Sequence, residues 1–219
     1  MILAALLLSM QVGPDPMGVQ LEPLPIPRAQ QQQQQQESPP APDSAQRELV
    51  EAAVAAAISG NEAILAGDYA GALALFESAQ VQALAAGRNT LAAEVGLDRA
   101  RALVLLGRYA QAEGILSEVR LRKPDNAEGW RASALVARNL DKLDEAQGFI
   151  ARAAELAPAD PAVGLEAGAI AFYAGDTAAA HKSWQSVIDL APEGEEAALA
   201  RTYIAQTGES PAQPSSPED

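Results

Sequence analysis

The chain contains no cysteine, so disulfide frameworks, thiolate metal sites and lipid-modified cysteines are excluded. It has one histidine, His181, which leaves zinc at most a single imidazole and gives a Ser-His-Asp arrangement only one base to use. Aromatic residues make up only 4% of the sequence, so the core must be built from alanine and leucine. Alanine loses no side-chain entropy in a helix and lets neighbouring helices approach closely, which favours packed helices over a sheet sandwich. Basic residues are also scarce, 15 against 29 acidic, for a net charge of −14. This argues against nucleic acid as a partner, because binding there rests on neutralising phosphates with Lys and Arg. The charge is uneven, however. Between Arg88 and Arg152 stand 11 basic and 9 acidic residues, a basic island in an acidic molecule.

The chain's one long apolar run, Ile2 to Met10, is broken by a single serine. As a helix its nine residues would cover about 14 Å of a roughly 30 Å hydrocarbon layer, too short for a stable membrane span. The length suits the apolar part of a signal peptide, and residues 1–12 are read as such a segment, implying export to the periplasm. Against this, no Lys or Arg precedes the run and no clean Ala-x-Ala site follows it, so a cytoplasmic location is the alternative. Residues 13–43 follow as a linker, with eight prolines and the tract Gln30 to Gln36 but no apolar face to bury. Residues 209–219 form an acidic tail of the same kind.

What lies between is periodic. Pro124, Pro158 and Pro192 stand 34 residues apart, and so do Gly107, Asp141 and Gly175. Ala112, Ala146 and Ala180 keep the same step, as do Leu116, Ile150 and Trp184. A period of 34 predicts stacked pairs of antiparallel helices, since one pair cannot bury its own apolar face. In the unit 127–160, Asp125 or Asn126 caps a first helix carrying Trp130, Ala134 and Ala137 on one face. Leu140 to Leu143 make a turn, and a second helix presents Ala146, Ile150 and Ala153 before Pro158 stops it. Trp130 and Trp184 read as core, and His181 as a surface residue.

These residues resemble the tetratricopeptide repeat family. Trp130, Ala134, Ala146 and Pro158 follow that pattern or replace small residues with small ones. Gly168, Ala180, Trp184 and Pro192 fall in register after them, and Ala100, Ala112, Leu116 and Pro124 before. Tyr69 and Tyr109 supply the turn aromatic, and Gly60, Gly67, Tyr69, Ala72 and Phe76 mark a fourth copy upstream. Gly67 and Gly107 are 40 apart, so six residues are inserted. The expectation is a second helix running on to Ala86, ended by Gly87, with Thr90 as the next cap. The predicted fold is all-α: an α-solenoid over 44–208 with repeats at 53–92, 93–126, 127–160 and 161–194, then a capping helix at 195–206. Residues 45–54 are expected to extend the first helix backward.

The resemblance implies a scaffold or adaptor that binds a protein or peptide, with the first helix of each repeat lining the concave side. The stripe beside the core-facing residues then holds Glu94, Leu97, Arg101 and Leu105, next Glu128, Arg131, Leu135 and Arg138, and last Leu165, Ala169, Phe172 and Tyr173. Arginine's planar fork suits carboxylates, and the apolar patch suits a Leu- or Phe-like side chain. The candidate site is therefore Arg101, Arg131, Leu135, Arg138, Phe172 and Tyr173, for a peptide with an acidic or C-terminal carboxylate element. The plainer reading pairs Glu94 with Arg101 and Glu128 with Arg131 as solvated surface, and packs Phe172 or Tyr173 against the closing helix with Tyr203. The Asn- and Lys-rich carboxylate clamp of some chaperone co-factors in this family is not matched. No phosphate loop or metal-ligand spacing occurs, so no catalytic residue, metal or cofactor is expected and the chain does not read as an enzyme. The alternative function is a structural subunit that uses its Ala-rich first repeat to self-associate or to dock permanently in a larger complex.

Overall fold

A computed structural model of the protein describes residues 43–208, so the segments read as leader, linker up to residue 42, and acidic tail lie outside the described residues. Asp43 itself is structured. It is the N-cap of the first helix and accepts a hydrogen bond from the Gln46 N–H at 2.7 Å. Among the described residues there are nine helices and no strand. They are α1 (Ser44–Leu65), α2 (Tyr69–Ala85), α3 (Asn89–Leu105), α4 (Tyr109–Arg122) and α5 (Ala127–Asn139), followed by α6 (Leu143–Leu156), α7 (Pro161–Tyr173), α8 (Thr177–Leu190) and α9 (Glu195–Gly208). Each packs on its neighbours in sequence, and α3, α5, α7 and α9 also touch in order, so the odd-numbered helices form one layer of an α-solenoid and the even-numbered the other.

Two kinds of turn alternate, each written in the sequence. Within a repeat the first helix ends in a left-handed residue: Gly67, Gly107, Asp141 or Gly175. The N–H of the residue after it then reaches back to a carbonyl of the last turn, as Arg108 does to Leu103 at 2.8 Å and Lys142 to Ala137 at 2.9 Å. Between the later repeats the second helix stops two residues before proline. Lys123, Ala157 and Ala191 have φ of −141°, −140° and −142°, extended backbone that a following proline imposes. Asp141 is the non-glycine member of its series, at φ 60°. Replacing it with glycine is expected to stabilise the protein by roughly 0.5 kcal/mol, because relief of left-handed strain of about 1 kcal/mol exceeds the added freedom of the unfolded chain. A urea midpoint that falls in Asp141→Gly would contradict this.

The six inserted residues are shared, contrary to the expectation that the second helix takes them all. α2 has 17 residues where α4 has 14, and α3 has 17 where α5 has 13. The link between α2 and α3 is correspondingly one residue shorter, a glycine turn at Gly87 (φ 69°) in place of the proline stop. α2 ends at Ala85 with Ala86 as its cap, and α3 begins at Asn89, ahead of the boundary read at 92/93. Thr90 is therefore inside α3, and Arg88 occupies the cap position without a side-chain bond. α1 is one 22-residue helix, with 45–54 continuous with the rest.

Each second helix buries one large residue and one alanine at matching positions. Phe76, Leu116, Ile150 and Trp184 are buried, as are Ala72, Ala112, Ala146 and Ala180. The large residue fills the space between its own repeat and the next first helix, and the alanine brings the paired helices close. In the fourth repeat a Cβ on Gly168 would lie 2.2 Å from the Trp184 Nε1, so only glycine lets the indole lie against α7, where it donates to the Leu165 carbonyl at 3.1 Å. Trp130 is half-buried, not core. Its indole donates to the Pro124 carbonyl at 2.9 Å and stands 6.0 Å from the Phe149 ring, and the Arg120 guanidinium lies over both rings. The desolvation this position imposes lowers the Arg120 pKa, against the pull of Glu113 and Glu145. The capping helix runs two residues beyond the predicted end, to Gly208, and buries Ala197 and Ala200 over α8.

Candidate functional site

The odd-numbered helices present two adjoining hollows. The first lies between α3 and α5, about 80 Å³, with Leu97 and Leu135 on its walls and Arg101, Glu128 and Arg131 at its rim. The second, about 230 Å³, is bounded by α5, α7 and α9, with Arg138, Phe172 and Tyr173 on one side and Tyr203 on the other. All six candidate residues line one hollow or the other: Arg101, Arg131 and Leu135 the first, Arg138, Phe172 and Tyr173 the second. They come together because helical spacing puts each stripe on one side of its helix, and the repeat then aligns the stripes.

Each arginine has a carboxylate beside it. Arg101 donates from one guanidinium nitrogen to Asp98 at 3.0 Å, with half of its side chain in solvent. Arg131 grips Glu128 through two nitrogens, at 2.7 and 2.5 Å. Glu94 does not serve Arg101; it accepts from Lys123 at 2.9 Å. Arg138 reaches across to α7 and holds Glu166 in a two-point pair at 2.8 and 3.3 Å, with its guanidinium carbon 5.1 Å from the centre of the Tyr173 ring. Glu166 is buried, and sequence reasoning missed it. A signal was present, because it is the sole charged side chain in the apolar run from Pro161 to Tyr173.

The electrostatics follow from these pairs. Burial works against the charged forms of Arg131 and Arg138, but the hydrogen bonds and charges of Glu128 and Glu166 outweigh it and raise both pKa values. Both guanidinium groups are therefore held in their cationic form by these partners. Burial raises the Asp98 pKa; Arg101 opposes this shift and Glu94 adds to it. The first hollow thus carries the bidentate Arg131–Glu128 pair, while Arg101 at its rim is held by a single bond to Asp98.

The aromatic end is built by α9. Phe172 and Tyr173 meet edge to face at 6.0 Å, Phe172 lies 6.2 Å from Trp184, and Trp184 lies 5.4 Å from Tyr203. Phe172 packs inward on the indole yet stays 40% exposed, while Tyr173 is 62% exposed at the mouth of the cleft. Gln206 and Thr207 complete the lining from the last turn of α9, a contribution the repeat pattern does not mark. His181 is only partly at the surface. It is half-buried between α8 and α9, with Nε2 2.7 Å from the Thr207 hydroxyl and its ring 6.0 Å from Trp184. Among the described residues no group of three potential ligands is placed to hold a metal ion, and no helix is long and apolar enough to cross a membrane.

Residues 63–138 match the family profile described as tetratricopeptide repeat. Among solved structures, the chain is similar to YrrB, described as a tetratricopeptide-repeat protein with an unusual peptide-binding site. The two are 24% identical over 73% of this chain and 76% of that one, with a TM-score of 0.55. MamA from Desulfovibrio magneticus RS-1 is similar over 77% of this chain and 94% of its own, at 18% identity and a TM-score of 0.56. The nearly identical repeats of a putative kinesin light chain from Podosopora anserina superpose with a TM-score of 0.60, at 13% identity over 70% of this chain and 83% of theirs. These likenesses are of fold. No curated protein matches the sequence.

Proposed function

We propose, for a chain that is a tetratricopeptide-repeat protein, that the wall of odd-numbered helices is a binding surface for a peptide with an acidic or C-terminal carboxylate element. The fold belongs to protein-interaction scaffolds, and the family's members are in general non-catalytic binding modules. The finer reading rests on one observation: three arginines and an aromatic cleft from successive repeats line two adjoining hollows. The arginines supply forked donors for carboxylates, and the cleft supplies apolar area for a side chain.

The test uses an array of acidic peptides with free and amidated C-termini. The double variant Arg101→Ala/Arg131→Ala is expected to lose about tenfold or more in affinity for the peptides that wild type selects, and wild-type binding is expected to weaken as salt rises. Unchanged affinity in the variant would remove the arginines from the site. Arg138 is left out of this test because its loss would strand Glu166.

A second reading, assembly through the first repeat, draws on Val54, Ile58 and Leu65, which α1 presents to solvent with exposures of 41%, 56% and 89%. A stable oligomer of the purified chain in light scattering would favour it, a monomer the adaptor. Export belongs to the same proposal and is supported by the apolar run at Ile2 to Met10; sequencing the mature N-terminus from cell fractions tests it.

A further inference from the structure

We propose that the outward face of α1 is a dimer seam, on which a second copy of this chain packs its own α1 in antiparallel fashion. The inference rests on the assembly reading above and names its partner and its geometry.

α1 packs on α2 and touches α3, and among the described residues no other helix reaches it. Its inner side carries the buried Ala53 and Gly60 with the half-buried Ala56, Ala57, Ala63 and Ile64. The opposite side is exposed, and its residues run Glu51, Val54, Ile58, Asn61, Leu65. The steps are three, four, three and four, the heptad interval at which a row of side chains meets a partner helix. Three of the five are large, apolar and open to solvent. The other end of the solenoid is closed differently. There α9 covers α8 with Ala197 and Ala200 and shows one large apolar residue, Leu199, to solvent. A solenoid that stands alone needs a polar outer face on its terminal repeats, and the first repeat presents this apolar row instead.

The row is complementary to itself. In an antiparallel pair with its two-fold axis beside Ala56, Val54 meets the second copy's Ile58, and Ile58 meets the second copy's Val54. Further out on each side, Asn61 faces the second copy's Glu51. Asn61 donates one amide N–H to the Ala57 carbonyl at 3.2 Å, which leaves the other for that carboxylate. A single polar amide in such a row fixes the register of the two helices. A parallel pair would instead set Glu51 against Glu51. Leu65, 89% exposed, falls level with the first turns of the second copy's α1, where residues 44–48 are all exposed, so this extension of the helix covers it. Because α1 is already helical in each chain, pairing requires no helix nucleation. Neither hollow takes a residue from α1, so the seam is separate from the candidate binding site.

The experiment is sedimentation equilibrium of the full chain. Its mass is expected to rise towards that of two chains as concentration increases. Association is expected to tighten with salt, because each chain carries a net charge of −14 and the attraction comes from the apolar row. Ile58→Asp changes a residue that is 56% exposed, so the helical circular dichroism should be unchanged. It is expected to weaken the dimer about a hundredfold, since the two-fold axis brings the charge in twice. The absence of cysteine makes the orientation testable. Glu51→Cys mixed with Asn61→Cys is expected to form a mixed disulfide about tenfold faster than either variant forms one with itself. A single-chain mass at every concentration up to about 1 mM overturns the proposal. So does a dimer that Ile58→Asp leaves intact, or one that loosens with salt. Faster linking of either cysteine variant to itself overturns the antiparallel pairing. If the chain is a monomer but Ile58→Asp drops out of the complex that wild type enters in its cells, the face serves another protein and this inference fails alone. If the variant still enters that complex, the assembly reading fails with it.

Discussion

Phe76→Ala is expected to destabilise the protein by about 3–5 kcal/mol, the range for emptying a fully buried aromatic site. Phe76 is the large residue of the first repeat and is completely buried. Its ring is packed so closely against α1 that a Cβ on Gly60 would lie 2.6 Å from it. Around it stand Ala72, Ala79, Val95 and Ala102, small or medium residues that cannot collapse into the space without moving whole helices. A solenoid is stabilised by contacts between adjacent repeats, so the damage should stay local. The expected urea transition is therefore not a simple shift. Amides of α1 and α2 should exchange at lower denaturant than those of α7 and α8, and the two halves should separate. A single cooperative transition with a midpoint unchanged from wild type would contradict both the size of the effect and its confinement.

Glu166→Ala is expected to cost about 3–5 kcal/mol, the penalty for breaking a buried ion pair from one side. Glu166 has 8% of its side chain exposed and Arg138 has 15%. Removing the carboxylate leaves a desolvated guanidinium that the Tyr173 ring alone cannot compensate, because an aromatic face returns only about 0.5–2 kcal/mol. The double variant Arg138→Met/Glu166→Met replaces both charges with apolar groups of similar length and is expected to recover most of the loss. Thermal unfolding of the three proteins at fixed pH decides it. If the single and double variants are equally unstable, the pair contributes by packing and not by charge compensation. The functional consequence separates cleanly. The double variant should fold and still bind acidic peptides less tightly, because Arg138 faces the cleft as well as its partner.

Much of the architecture was legible without coordinates. The spacing of Pro124, Pro158 and Pro192 located the turns between repeats, and Gly107, Asp141 and Gly175 located the turns within them. Both signals act through the φ of one or two residues, which depends on nothing distant. The length of the insertion was also legible, but not its placement. Six extra residues in an alanine-rich stretch fit the end of α2 or the start of α3 equally well by propensity. The division was decided by which apolar residues could be buried at once, Ala79, Ala83 and Ala86 on one side and Ala92, Ala93 and Val95 on the other.

At the candidate site the helical stripe put Arg101, Arg131, Leu135, Arg138, Phe172 and Tyr173 on one wall. It did not say that Arg138 would bind Glu166, 28 positions away, or that Glu94 would go to Lys123 instead of Arg101. Helical periodicity assigns a residue to a face. The partner it meets there depends on how one helix is rotated and tilted against the next, which is set by packing over the whole contact. His181 and Trp130 illustrate the same limit in opposite directions. One is drawn in because α9 closes over it, and the other stays half-buried, with Arg120 rather than a neighbouring helix across its face.

Repeat number, turn positions and the presence of an inner wall were thus determined by sequence alone, because they follow from local backbone preferences repeated at a constant interval. Which charges are paired, which aromatic rings face outward and how α9 completes the cleft were decided only by the tertiary structure, since each depends on the relative setting of helices whose sequences say nothing of it individually.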